Sequence, residues 1–447
     1  MRAFFSAELL PGFQESLWRD GGNMSHHTSR SGVQKLVLGF LFICVTMVLY
    51  CFSTPGLQAD TQRLPVAAPC RHPPAQKTQE QKLFHVPLGI SKMERCTPKV
   101  NLMFLKTHKA ASSTILNILL RFGQKNQLRF ALPDSRNDFL YPAPFDHTLV
   151  KDYRPGECFN ILCNHMRFNA PEVEALLPDD AFFFTILRDP ALVFESSFHY
   201  YNRVMPLTWR IRGEDKLSAF IKEPERYFSP DGINSFYLKN LQLFDLGHDN
   251  TLEPEDVAVD QAIQAISERF QLVLIAEHFE ESLILLKDAL CWQMDDLLYF
   301  KLNARRGASV SLLTPELKAK GRAWNGADWR LYRHFNATLW ARVDAYGRKR
   351  MERDVRELRR RNMEMSAICI DGGKAVEEGD IRDESMKPWQ PLGENSILGY
   401  NLRTNIDQEY SELCRKMLTP EIQYLTDLGV NLWITRLWGW VKGIIAL

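Results

Sequence analysis

The chain has 447 residues, 45% hydrophobic and 24% charged, and 55 Lys and Arg against 54 Asp and Glu give a formal net charge of +1. That length supports one large domain or two ordinary ones with a substantial core. The charge balance excludes a strongly basic nucleic-acid binder and an acidic disordered chain. The 24 Gly and 23 Pro exclude a collagen-like chain, and the nine Cys are too sparse for a small disulfide scaffold but enough for a few bridges in an oxidising compartment.

In chain order, the first predicted element is Leu36–Phe52, LVLGFLFICVTMVLYCF, 17 residues without a charge. This is the short end of what crosses a bilayer. Arg30 and Lys35 precede it and no Lys or Arg follows until Arg63, so the positive-inside rule predicts a single transmembrane signal anchor in the type II orientation. A cleaved signal peptide is the rival, kept open by Ser53-Thr54-Pro55-Gly56. Residues 1–35 are then a cytosolic tail. Residues 53–95, rich in Pro, Gln, Ala and Thr, bury too little to offset their chain entropy and read as a lumenal stem. The sequon Asn336-Ala337-Thr338 would be lumenal and open to a glycan, whereas Asn23-Met24-Ser25 would be cytosolic. Outside the span, Cys70, Cys96, Cys158, Cys163, Cys291, Cys369 and Cys414 are odd in number, so at least one thiol is free or pairs between chains. Cys158, Cys163 and His165 have no second Cys/His pair at zinc spacing, and no metal site is predicted.

Beyond the stem, strand and helix patterns alternate. Strands are predicted at Asn101–Leu105, Cys158–Cys163, Ala181–Leu187 and Phe270–Ala276, and helices at Ser113–Phe122, from Pro190 to about Tyr201, and at Glu281–Trp292. The continuous apolar run AFFFTIL suits a strand buried on both faces. The alternation predicts an α/β domain over 96–430, a mainly parallel central sheet flanked by helices, with ligands at the carboxyl ends of its strands. Arg342–Met365 reads as one highly charged, solvated helix without a functional assignment. Asn431–Leu447 reads as an amphipathic Trp-rich segment, with Trp433, Leu437 and Trp440 opposite Asn431, Thr435 and Arg436. Such a face suits a bilayer interface or packing on the domain itself.

Two loops carry chemistry. Lys106-Thr-His-Lys-Ala-Ala-Ser-Ser-Thr114 joins a strand to a helix, where unpaired N–H groups and the dipole favour an anion. Hydroxyls and lysines add donors. An N-capped helix with solvated lysines is the plain alternative. No G-x-x-x-x-G-K-[ST] is present, which disfavours a nucleoside triphosphatase. In the second loop, Arg188 ends a strand with Ser196 eight residues on; a guanidinium there holds phosphate with two hydrogen bonds or simply pairs with Asp189. No strand-terminal D-x-D marks a metal-dependent glycosyltransferase.

The stretches FLKTHKAASST, DYRPGECFNILCNHMRF, LRDPALVFESSFHY, YFKLNARR and ICIDGG resemble the galactose-3-O-sulfotransferases from about residue 98 to the C-terminus. The resemblance implies the PAPS-dependent (3′-phosphoadenosine 5′-phosphosulfate) sulfotransferase fold, which is P-loop-like, with PAPS as sulfate donor and no metal. Lys109, with Lys106 as second choice, would meet the bridging oxygen and 5′-phosphate. Ala110, Ala111, Ser112, Ser113 and Thr114 complete that loop, Arg188 and Ser196 take the 3′-phosphate, and Arg305 the adenosine side. His108-Lys109 stands where the wider sulfotransferase family has Pro-Lys, and Ala-Ala replaces a Gly-containing stretch. His165 resembles the base of the uronyl 2-O-sulfotransferases, with His108 the competitor; imidazole suits proton removal near neutral pH. The implied reaction is sulfation of the galactose 3-hydroxyl, on galactosylceramide and related galactolipids such as lactosylceramide. Glycoprotein galactose and a non-catalytic galactose-binding protein are the alternatives. The implied setting is the Golgi membrane, single-pass with a lumenal catalytic domain, with a homodimer left open and without nucleic acid.

Overall fold

A computed structural model describes residues 96–392 and 395–437. The expected anchor at 36–52, the stem and residues 438–447 lie outside the described residues. Among the described residues no helix is long and apolar enough to cross a membrane.

The centre is a five-stranded, all-parallel sheet. Its strands are β1 (Leu102–Leu105), β2 (Phe130–Ala131), β3 (Ile161–Leu162), β4 (Phe182–Leu187) and β5 (Leu272–Ile275), in the order β2-β3-β1-β4-β5. Every residue of β1, β4 and β5 is buried, as a parallel sheet covered on both faces requires. Register sets Leu105 of β1 beside Thr185 of β4 and Leu187 beside Ile275 of β5. β4 and β5 therefore end level, with β1 two residues shorter, and the loops that follow these parallel strands share one edge. The expected strand at Cys158–Cys163 contracts to two residues, and β2 was not predicted. Two-residue strands lack the length for a periodic signal.

The helices named below are α1 (Ser112–Lys125), α2 (Pro190–Tyr201), α3 (Leu241–Asp245), α4 (Phe279–Leu290), α5 (Gly326–Tyr346), α6 (Arg348–Cys369), α7 (Gln408–Leu418) and α8 (Glu421–Asp427). α1 lies deep in the core, with Ile115, Leu116, Ile118 and Leu119 at most 1% exposed. Gly123 on α1 is required by packing: a Cβ there would stand 2.1 Å from the Phe130 ring of β2. The single charged helix expected over Arg342–Met365 is two helices. They part at Gly347, whose φ of 96° a Cβ-bearing residue rarely adopts. On α6 the Glu357–Arg361 and Arg360–Glu364 pairs are solvent-screened and add little to stability, in keeping with a solvated face.

Disulfides join Cys96 to Cys291 and Cys369 on α6 to Cys414 on α7. Cys158 is also disulfide-bonded, and Cys163 is the free, buried thiol among the described residues. At the C-terminus Val430 and Leu432 pack with Leu132 and Leu425. Thr435 turns inward and Trp433 stays 45% exposed, so the described start of the Trp-rich segment is docked on the domain with its first tryptophan outward.

Candidate active site

The loop after β1 makes two left-handed turns, Lys109 at φ 58° and Ala111 at φ 62°. An alanine there costs about 1–2 kcal/mol, and the surroundings hold it. Ser112 Oγ donates to the Thr107 carbonyl at 2.6 Å, and Thr107 Oγ1 to the Ile186 carbonyl at 2.5 Å. The loop is thus pinned to β4 and aims the amino end of α1 along the strand ends, the polarity that favours an anion. Thr114 Oγ1 accepts from the Leu302 N–H at 3.3 Å, and Ala110 is fully buried beneath the turn.

The second loop is stitched to the first. Arg188 Nη1 donates to the Lys109 carbonyl at 2.9 Å. Gln242 on α3 grips the Arg188 backbone twice, accepting its N–H at 2.8 Å and donating to its carbonyl at 2.9 Å. Asp189 caps α2 through the Ala191 N–H and binds Lys318 and Arg322, so its carboxylate is engaged away from the Arg188 guanidinium. On α2, buried Glu195 receives Arg305, which also donates to the Ser309 carbonyl at 3.0 Å. This ties Arg305 to α2 one residue before Ser196, and both line the same cavity.

The histidines stack, ring centroids 4.1 Å apart and planes 13° from parallel. His165 Nδ1 faces the Lys106 carbonyl at 2.9 Å, which only an N–H can satisfy. Its Nε2 is therefore the unprotonated nitrogen, accepting from Lys106 Nζ at 2.6 Å. Burial, then the charges of Lys106 and His108, holds His165 well below the ordinary histidine range. His108 is arranged differently. Its Nδ1 and backbone N–H both donate to the Asp245 carboxylate, at 2.8 and 2.7 Å, leaving Nε2 as the basic nitrogen. Tyr141 donates to the same carboxylate at 2.7 Å. Gly247 at φ 92° ends α3, where a Cβ would meet the Phe168 carbonyl at 2.4 Å. Buried Asp328 accepts the N–H groups of Gln242 and Leu243 at 3.0 and 2.8 Å, and burial pushes its carboxyl up to about 7. One short helix thus fixes both Arg188 and His108.

Lys106, His108, Lys109, Ala111, Ser112, Ser113, Thr114, His165, Arg188, Ser196 and Arg305 all line one cavity of about 1070 Å³. Ala110 does not reach it. Asn336 lies apart on α5, half-buried, with its Oδ1 enclosed and unpartnered. Lys109 Nζ sits 3.0 Å from the Tyr200 ring centroid. Burial and the charges of Arg305, Lys106 and Arg188 hold Lys109 well below the ordinary lysine range, with Glu195 alone opposing them. Such a surplus of cations is what a polyanion relieves, so the residues present fit a phosphosulfate nucleotide.

Residues not anticipated from sequence complete the site. Asp245 sits inside the apolar run Leu241–Leu246, a buried-charge signal in principle. Tyr141, Tyr201 and Tyr237 form an aromatic wall, the latter two stacked at 3.7 Å. Glu421, at the start of α8, reaches back to Lys106 Nζ at 3.0 Å and Ser113 Oγ at 3.3 Å, while its Oε1 is buried without a partner. Asp146, His147 and Glu172 bring one ligand atom each to within 4.8 Å of one another, and none of the three lines the cavity.

The chain matches the galactose-3-O-sulfotransferase family over residues 22–432. It is 53% identical to human galactosylceramide sulfotransferase over 411 residues, 92% of this chain and 96% of that one. It is 52% identical to the bovine protein of that name over 92% of this chain and 96% of the relative. Identity to human galactose-3-O-sulfotransferase 2 is 43%, over 74% of this chain and 83% of the relative. A parallel sheet whose strand ends gather cations and a histidine–aspartate pair, together with a match spanning most of the chain, assigns this protein to the galactose-3-O-sulfotransferase family.

Proposed function

We propose that this enzyme transfers a sulfuryl group from PAPS to the 3-hydroxyl of the galactose in galactosylceramide, with lactosylceramide as a second acceptor, making sulfatide. The observation that carries the reading is the joining, in one cavity, of four cations (Lys106, Lys109, Arg188 and Arg305) with the His108–Asp245 pair. The relatives named galactosylceramide sulfotransferase supply the acceptor.

When bound, PAPS supplies the sulfuryl group. Lys106, Lys109, Ser113, Thr114 and the start of α1 would hold its 5′ side, Arg188 and Ser196 its 3′-phosphate, and Arg305 the nucleoside. Fixed cations lower the cost of charge building up on a leaving phosphate without reorganising at the moment of reaction. His108 Nε2 takes the proton of the acceptor hydroxyl, while Asp245 keeps Nδ1 protonated and faces the resulting imidazolium. His165, whose Nε2 is engaged by Lys106, orients that ammonium. The chemistry requires no metal.

The setting we infer is a Golgi type II membrane protein, anchored at 36–52 with a stem over 53–95, a catalytic domain over 96–430, and an appended segment over 431–447. Supporting it are the uncharged stretch after Lys35 and disulfides typical of an oxidising lumen. Protease protection in sealed microsomes tests the orientation, and a glycosidase mobility shift lost in Asn336→Gln tests the glycan.

The functional test is labelled sulfate transfer from PAPS by the full chain in detergent, with EDTA present. Galactosylceramide and a soluble β-galactosyl oligosaccharide compete as acceptors. EDTA-resistant transfer to the lipid is the expected result. Preference for the soluble sugar moves the assignment to glycoprotein glycans. Binding of donor and sugar without transfer leaves a galactose-binding protein.

A further inference from the structure

Four large exposed apolar side chains stand on segments that also line the cavity. Leu140 is 46% exposed, Trp209 61%, Ile233 63% and Trp433 45%. Leu140 precedes Tyr141, Ile233 precedes Asn234 and Trp433 precedes Ile434, and these three neighbours all line the cavity. Trp209 Nε1 donates to the Asn202 carbonyl at 3.1 Å, two residues before cavity-lining Val204.

The segments are tied together. Asn234 Nδ2 donates to the Val204 carbonyl at 2.7 Å, Tyr141 meets Phe236 at 5.4 Å between ring centroids, and the Ile434 N–H donates to the Ser135 carbonyl at 3.2 Å. The exposure is also built in at one position: Leu140 is held at φ 55°, a conformation bulky L-residues rarely take without support. The Trp209 N–H is already satisfied, so its exposed remainder is mostly ring.

Charge selects the occupant. Arg203, Arg210 and Arg212 are exposed around Trp209, and none has an ion-pair partner among the described residues. The acidic residues that follow begin at Glu214, and Asp215 is used in capping the next helix through the Ser218 N–H. Exposed tryptophan and aliphatic side chains beside unpaired arginines are the composition that settles at the headgroup level of an anionic bilayer. A sulfated lipid product adds such negative charge under the enzyme.

We propose that Leu140, Trp209, Ile233 and Trp433, with Arg203, Arg210 and Arg212, form a rim that docks the cavity mouth on an anionic lipid surface. The acceptor's sugar then enters the cavity while its chains stay in the leaflet. The inference rests on the lipid acceptor proposed above.

The test uses the full chain with three acceptor forms: galactosylceramide in phosphatidylcholine vesicles, the same with phosphatidylserine added, and a monomeric short-chain galactolipid. Arg210→Glu/Arg212→Glu should raise KM at least about tenfold on the phosphatidylserine vesicles, and high salt should do the same to the wild type. Trp209→Ser/Ile233→Ser should raise KM on both vesicle types by about tenfold, the loss expected for withdrawing two such side chains from an interface. Neither variant should change kcat or KM for the monomeric lipid, which also shows that both are folded. Unmoved vesicle KM overturns the proposal, as does an equal loss on the monomeric lipid. So does a fall in sedimentation mass in either variant, which would make the rim a contact between copies of the chain. A wild type that sulfates none of the three forms defeats the acceptor reading instead.

Discussion

The two sides of the cavity are built in different ways. The donor side comes from two strand-loop-helix units whose strands, β1 and β4, are neighbours in the sheet. The Lys106–Thr114 loop and the Arg188–Ser196 stretch each lie within nine residues of chain; the first is bonded to β4 and the second to the first. The acceptor side is assembled from distant pieces: Tyr141 and Tyr237 on the wall, with Asp245 on α3 behind them. Its key bond, His108 to Asp245, spans 137 positions. Phosphate recognition needs only backbone N–H groups and cations at a strand end, which a short motif encodes. Placing a base against a sugar hydroxyl needs groups that only tertiary packing brings together.

The sharpest way to break that comparison is His108→Ala. Loss of a general base should lower kcat by about 10³ with donor KM little changed, and Asp245→Asn should follow part of the way, both read by single-turnover sulfate transfer. A larger kcat loss in His165→Ala, at unchanged donor KM, would give His165 the proton-accepting role. Next, Lys109→Met should cut kcat/KM by about 10². Because burial and neighbouring cations hold Lys109 below the usual lysine range, donor KM in the wild type should rise with pH earlier than a free lysine would cause, and Lys109→Arg should flatten that limb. Glu421→Gln frees Lys106 and Ser113 from a competing carboxylate; donor KM should fall about threefold, the scale of one partly screened charge contact, by isothermal titration.

Two smaller effects concern stability. The Asp328 carboxyl is raised to about 7 in the folded chain, above its unfolded value of about 3.9. Its contribution is therefore fully present below about pH 4 and is lost as pH rises through about 7. Asp328→Asn should flatten denaturant-measured stability across that window. Ala111→Gly removes the strain of a left-handed alanine against glycine's larger entropy loss, a net gain of about 1 kcal/mol visible as a higher Tm. A loss instead would mean the Ala111 side chain packs usefully at the cavity edge.

The sheet was legible wherever strands ran four residues or longer with apolar sequence, as in β1, β4 and β5. It was not legible at β2, and β3 was placed but drawn too long; their two residues each owe their conformation to pairing with neighbours. The donor residues were readable because strand, loop and helix are contiguous there. Asp245, Gln242 and Asp328 were not, since each acts on a backbone group far away in sequence. Glu421 is an ordinary acidic helix start until the fold turns it onto Lys106. The boundary missed at Gly347 has a local cause that the charge pattern on either side obscured.

Cys163 ends the short run of β3, wholly buried, and burial pushes its thiol up from the ordinary range. Reactivity belongs to the thiolate, so in the folded domain this sulfur is shielded both by packing and by protonation. An alkylating dye reaches it only when the sheet opens. The rate at which it is labelled, with the disulfides left oxidised, is a native clock for opening of the central sheet that requires no engineered probe.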